Sequence, residues 1–142
     1  MKMLKIFIFL FISVQLFSNQ SFFKISSKYK NLKLIDKWIF ESSETTISAE
    51  EEEKVFVYKD DKNIETITFD KSGVMSYNSM EEGERKKGEG QWLVKENRLR
   101  IIVETDTINA IYYIEQDLLT IVTESEESEE FYRNKMIVKY KK

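Results

Sequence analysis

From residue 34 onward, apolar and polar positions alternate with a period of two, and turn-forming residues interrupt the alternation about every ten residues. That period puts successive side chains on opposite faces of an extended chain, so it predicts strands. About nine runs carry it: 34–42, 54–59, 64–70, 74–79, 88–95, 98–104, 107–115, 118–124 and 130–138. Most connections are shorter than the dozen or so residues that a parallel crossover requires, so the strands are expected to pair antiparallel. The expected fold is all-β, an antiparallel up-and-down meander closing into a barrel of eight or more strands.

Two stretches read as connections rather than strands. Residues 44–53 form an acidic polar loop, within which Ser48-Ala49-Glu50-Glu51 has the Ser-x-x-Glu form of a helix capping box. Residues 80–87 form a charged connection. Between the runs at 64–70 and 74–79, Asp70-Lys71-Ser72-Gly73 suits a type I turn followed by a left-handed glycine. That turn sets Phe69 opposite Met75 and Ile67 opposite Tyr77 on one apolar face, with Thr68 and Ser76 on the other. The Glu96-Asn97 turn repeats the scheme: Trp92 and Val94 share a face with Leu99, Ile101 and Val103, while Arg98, Arg100 and Glu104 mark the wetter one.

The N-terminus follows a different pattern. Lys2 and Lys5 precede an apolar run over residues 6–17, and Ser18-Asn19-Gln20-Ser21 follows it. Charge, then about a dozen apolar residues, then small polar ones is the layout of a secretory signal peptide. The run is short for a bilayer-spanning helix, which needs about 20 residues. Residues 1–19 are therefore expected to be a signal peptide cleaved near 18–20, with a retained N-terminal anchor as the alternative. The mature domain, residues 20–142 with a short lead-in to about 33, is expected to be periplasmic or extracellular and not stably inserted in a membrane.

Composition narrows the chemistry. The 142-residue chain is long enough for one domain with a core. It contains neither cysteine nor histidine, which excludes disulfides, thiolate nucleophiles and serine–histidine or cysteine–histidine catalysis within the chain. Loss of Lys2 and Lys5 with the signal would take the formal charge from −3 to −5. An acidic chain of this kind lacks the basic face of a nucleic-acid binder. The acidic runs 50–53 and 124–130 lack the alternating Asp-x-Asp layout of a calcium loop and read as solvated connections. No metal, no cofactor and no enzymatic activity are expected.

Read in order, three segments resemble the bacterial lipocalin-like families, which are small secreted β-barrels. Leu34-Ile35-Asp36-Lys37-Trp38 is similar to their opening Leu-x-Gly-x-Trp, with Asp36 in place of the glycine. Ile67-Thr68-Phe69-Asp70-Lys71-Ser72-Gly73 resembles their Phe-Asp-x-x-Gly hairpin. Gly88-Glu89-Gly90-Gln91-Trp92 with Asn97-Arg98-Leu99-Arg100-Ile101 resembles their Gly-x-Trp strand, turn and Leu-x-Ile strand, and Asp117-Leu118-Leu119-Thr120-Ile121 and Phe131-Tyr132-Arg133 resemble the last two strands. The resemblance implies a side-chain-lined interior and, weakly, a small apolar ligand. The expected role is non-covalent binding of a small apolar or amphipathic molecule. A filled barrel that docks a protein or an envelope component is the alternative. Cavity-lining candidates are Trp38, Phe69, Met75, Tyr77, Trp92 and Tyr112, for which packing in a filled core is the plainer reading.

Overall fold

The computed structural model describes residues 31–81, 83–128 and 132–142; the signal-peptide reading of residues 1–19 and most of the lead-in lie outside them. The described residues contain no helix. Nine strands follow one another: β1 (Asp36–Ser48), β2 (Glu52–Tyr58), β3 (Asn63–Phe69), β4 (Val74–Glu81), β5 (Glu84–Lys95), β6 (Arg98–Val103), β7 (Asp106–Glu115), β8 (Leu118–Ser125) and β9 (Arg133–Lys141). Every pairing is antiparallel. From β3 to β9 each strand pairs with the next, and β9 returns to β1. The result is a closed eight-strand barrel with β2 as an additional strand.

β2 departs from a simple meander. It pairs with residues 42–48 of β1, while β3 takes residues 36–39. Ile39 pairs with both Thr66 and Lys141, and Ser42 with both Tyr58 and Lys139, so β9 holds one edge of β1 and β2 and β3 share the other. β2 and β3 thus lie end to end along a single edge. The polar stretch between them interrupts that edge rather than reversing the chain: Asp60 Oδ1 accepts from the backbone amides of Lys62 and Asn63, each at 2.8 Å. These bonds hold the Asp60 carboxyl below its ordinary range.

The two expected connections are mostly strand. β1 runs through residues 44–48 and β2 begins at Glu52, which leaves only 49–51 as a turn and no helical turn at the Ser48 capping box. Ladders on both edges of β1 satisfy its backbone, so its solvent-facing polar side chains do not oppose the strand. Lys54 also lies 3.6 Å from Glu44 across the β1–β2 pair. Likewise β4 and β5 extend to Glu81 and from Glu84, and Gly83, with φ of 84°, helps close the short turn between them.

The 69–75 hairpin has the expected register. Phe69 pairs with Met75 and Ile67 with Tyr77. Gly73 donates to the Asp70 carbonyl at 3.2 Å and has φ of 95°, and Asp70 Oδ1 accepts from the amides of Ser72 and Val74. The next hairpin buries Trp92, Val94, Leu99, Ile101 and Val103 together, also as expected. Inward residues of all eight barrel strands meet in one core.

Candidate functional site

The barrel interior has two parts, and five of the six sequence candidates fall in the first. Trp38 opens β1, Phe69 closes β3, Met75 opens β4, and Trp92 and Tyr112 lie near the ends of β5 and β7, all toward the same rim. All five are buried. Trp38 Nε1 donates to the Leu34 carbonyl at 2.9 Å, and Leu34 N–H donates to the Asn31 carbonyl at 3.0 Å, so the chain folds under the rim with Leu34 wholly buried. Trp92 Nε1 donates to the Asp70 carbonyl at 3.1 Å, and its ring meets Phe69 edge-on with centroids 5.4 Å apart. The Tyr112 hydroxyl donates to the Glu96 carbonyl at 3.2 Å and accepts from Asn31 Nδ2 at 2.9 Å.

Every indole and phenol polar atom on this floor has a protein partner, as buried polar atoms of a packed core require. Asp36 faces solvent beside it, 3.0 Å from Lys142, whose ammonium also stands 5.0 Å from the centre of the Trp38 ring. Hydrogen bonding to Lys142, together with the Lys37 amide, holds the Asp36 carboxyl below its ordinary range.

Tyr77, the sixth candidate, is half-buried and stands apart from the floor, farther along β4 and opposite Gly88. A Cβ on Gly88 would lie 2.6 Å from the Tyr77 hydroxyl oxygen and 2.8 Å from its ring carbons, so the absent side chain makes room for the phenol. A Cβ on Gly90 would run into the Ile102 carbonyl oxygen, a clash with backbone. β5 therefore curls closely onto β6 only because this position is glycine.

The second part is a polar wall above the floor. Tyr140 on β9 donates to Glu65 Oε1 on β3 at 2.5 Å, and both side chains are buried. β9 and β3 flank β1 on opposite edges, so this bond crosses the inner face of β1. Phe40 pairs with Tyr140 there and meets its ring edge-on at 6.2 Å. One rung higher on β1, Ser43 pairs with the buried Val138, and on the next rung Thr45 pairs with the buried Met136. Ser43 Oγ and Thr45 Oγ1 are buried without a hydrogen-bond partner. Beyond them, inner-face residues such as Ile47, Thr123 and Asn134 are only half-buried, so exposure rises from the floor, past the wall, toward the opposite rim.

Burial dominates the electrostatics of this wall. With 4% of its surface exposed, Glu65 has its carboxyl pushed up to about 8 by desolvation, which the hydrogen bond from Tyr140 only partly offsets. Burial also raises the Tyr140 phenol, and the facing carboxyl raises it further. Glu65 is therefore mostly a neutral acid at pH 7. Ser43, Thr45 and Glu65 are the buried polar side chains among the described residues, and none is basic.

Glu65, Tyr140, Ser43 and Thr45 were not among the sequence candidates. Glu65 shares the inward parity of Ile67 and Phe69, a signal that could have found it. Tyr140 likewise shares the parity of Met136 and Val138. Among the described residues no three His, Cys, Asp or Glu side chains gather as a metal site, and no helix is long and apolar enough to cross a membrane. The chain matches no family model, no curated protein and no solved structure in the comparisons made.

Proposed function

We propose that this protein is an exported, lipocalin-like binder that holds a small apolar or amphipathic molecule non-covalently within its barrel, in the cell envelope or outside the cell. The observation that supports the reading most is the pair of unpartnered hydroxyls, Ser43 and Thr45, buried on β1 one and two rungs beyond the Glu65–Tyr140 bond. Each buried polar group without a partner costs about 1–3 kcal/mol. A barrel that served only as a filled scaffold would be more stable with apolar residues there. A ligand with a polar head and an apolar body would supply the missing partners and rest its body on the apolar walls.

Native mass spectrometry of protein purified from its own host tests this reading. The expected result is a retained mass that solvent extraction removes. A bare chain that also takes up no amphiphile when supplied would contradict it.

A second reading is an interaction module. β2 pairs only with β1 among the described residues, so its outer edge is open, and Phe56, Tyr58 and the nearby Ile64 are exposed large apolar residues. An open strand edge with exposed aromatics is a surface that another strand can extend. Lys54 and Lys59, on the same stretch, are the kind of charge that keeps an edge from pairing indiscriminately.

A further inference from the structure

We propose that the polar wall formed by Glu65, Tyr140, Ser43 and Thr45 seats the head group of the ligand, and that this head group is an amine on an apolar body. The inference rests on the binder reading above and adds the chemical class of the ligand.

Three features of the wall select an amine. The first is charge: the wall has one carboxyl, and no Lys or Arg is buried among the described residues. A carboxylate or phosphate head would have no counter-charge there, whereas an ammonium would meet its opposite once Glu65 gives up its proton. The second is hydrogen-bonding sense. Tyr140 donates to Glu65 Oε1, and among the described residues no hydrogen bond engages Oε2. Ser43 Oγ and Thr45 Oγ1 have no hydrogen-bond partner of either kind. Once Glu65 is ionised its carboxylate only accepts and each hydroxyl can accept as well, and an ammonium brings three donors. The third is the ring pair, Phe40 and Tyr140, packed edge-on with the Tyr140 hydroxyl on the carboxyl, since aromatic rings attract cations.

The proton balance follows from the same geometry. An ammonium that binds against the protonated carboxyl displaces its proton: R–NH3⁺ and Glu65–COOH become the R–NH3⁺···Glu65–COO⁻ pair and one H⁺ released to solvent. Tyr140 faces Glu65 from β9, and Tyr77 lies on the inner face of β4 beside β3. The inner face of β1 presents only Trp38, Phe40, Ser43 and Thr45 near the carboxyl, none of which titrates. Glu65 is thus the group whose proton leaves near neutral pH.

The test compares three probes with one tail, namely dodecylamine, 1-dodecanol and dodecanoate, titrated calorimetrically into the 20–142 chain at pH 7. Runs in two buffers of different ionisation enthalpy report proton release. Dodecylamine is expected to bind about tenfold or more tighter than the alcohol, with dodecanoate weakest and nearly one proton released per amine bound. In Glu65→Gln the preference for amine over alcohol should disappear along with the proton release.

If amine and alcohol bind equally with no proton release, the head-group assignment is overturned while the binder reading stands. An amine preference that survives Glu65→Gln would place the effect on the acidic surface and overturn the assignment as well. Failure of all three probes to bind would overturn both. The proton count on the unaltered chain keeps the test decisive even if the variant fails to fold.

Discussion

The floor and the polar wall share two strands, β1 and β3, where their residues lie only a few positions apart, yet they follow opposite rules. On β1, Trp38 is buried with its indole N–H bonded, whereas Ser43 and Thr45 are buried with their hydroxyls unpartnered. On β3, Phe69 packs edge-on against Trp92, whereas Glu65, four residues earlier, is a carboxyl enclosed with one phenol. Below, shape and hydrogen bonding are both complete, as expected of a region selected for stability. Above, stability has been given up, and positions where a local rule is broken without compensation are where function is sought. The six residues nominated from sequence are large apolar side chains of inward parity, and five of them fall on the floor.

The contrast can be broken by mutation, most severely at the floor. Trp92→Ala removes a wholly buried indole together with its contact to Phe69 and is expected to cost about 3–5 kcal/mol, read from urea midpoints. A loss below about 1 kcal/mol would mean that the floor is not the stabilising region.

Next in size is the pH dependence of the wall. In the unfolded chain Glu65 loses its proton near 4.5, and in the folded protein only near 8. Between those values the folded state holds the extra proton, so this group's contribution to stability falls as pH rises through the window and levels off above it. The slope is at most about 1.4 kcal/mol per pH unit for one group. Glu65→Gln keeps an acceptor for Tyr140 and cannot ionise. The variant should match the parent near pH 5 and exceed it near pH 8, as judged by denaturant midpoints. Parallel curves for the two proteins would show that Glu65 ionises normally. The exposed Asp70 carboxyl is held down by hydrogen bonds from Ser72 and Val74, so its contribution is present above 3.8 and is lost as pH falls below that value. It therefore leaves the window of Glu65 clear.

A smaller effect separates the two glycines of β5. Gly90→Ala drives a methyl into the Ile102 carbonyl and is expected to cost about 1–3 kcal/mol. Gly88→Ala meets the Tyr77 side chain, which can swing aside, so it should cost less and mainly perturb tyrosine fluorescence.

Smallest, and opposite in sign, is Thr45→Val. It exchanges an unpartnered hydroxyl for a methyl of nearly the same shape and should stabilise the protein by about 1 kcal/mol. A comparable loss would mean that the hydroxyl already has a partner in solution.

Much of the frame is legible in the sequence, because hairpin chemistry is local. Asp70 and Gly73 set a register that puts Ile67, Phe69 and Met75 inside, and the structure has that register. Residues 44–48 and 84–87 were less legible because their charges suggest loops, while pairing on both edges makes the first a strand and pairing with β4 makes the second one. The continuity of β2 with β3 depends on which edge of β1 each occupies, and no local pattern encodes that.

The wall illustrates both cases. Glu65 is visible as a charged residue on the apolar parity of its strand. Ser43 and Thr45 are not, because the register shift between Phe40 and Ser42 reverses the parity of β1. Unbroken alternation from Trp38 and Phe40 would send Ser42, Glu44 and Thr46 inward. The single irregular residue Glu41 instead turns two hydroxyls into the barrel.

The central claim is that ligand contact belongs to the wall and not to the floor. The most direct test is a ¹H–¹⁵N correlation spectrum of the 20–142 chain titrated with dodecylamine. The account predicts the largest shifts at the amides of Ser43, Thr45, Glu65 and Tyr140, with the indole N–H signals of Trp38 and Trp92 nearly unmoved. Large indole shifts with a silent wall, or changes confined to surface residues, would contradict it.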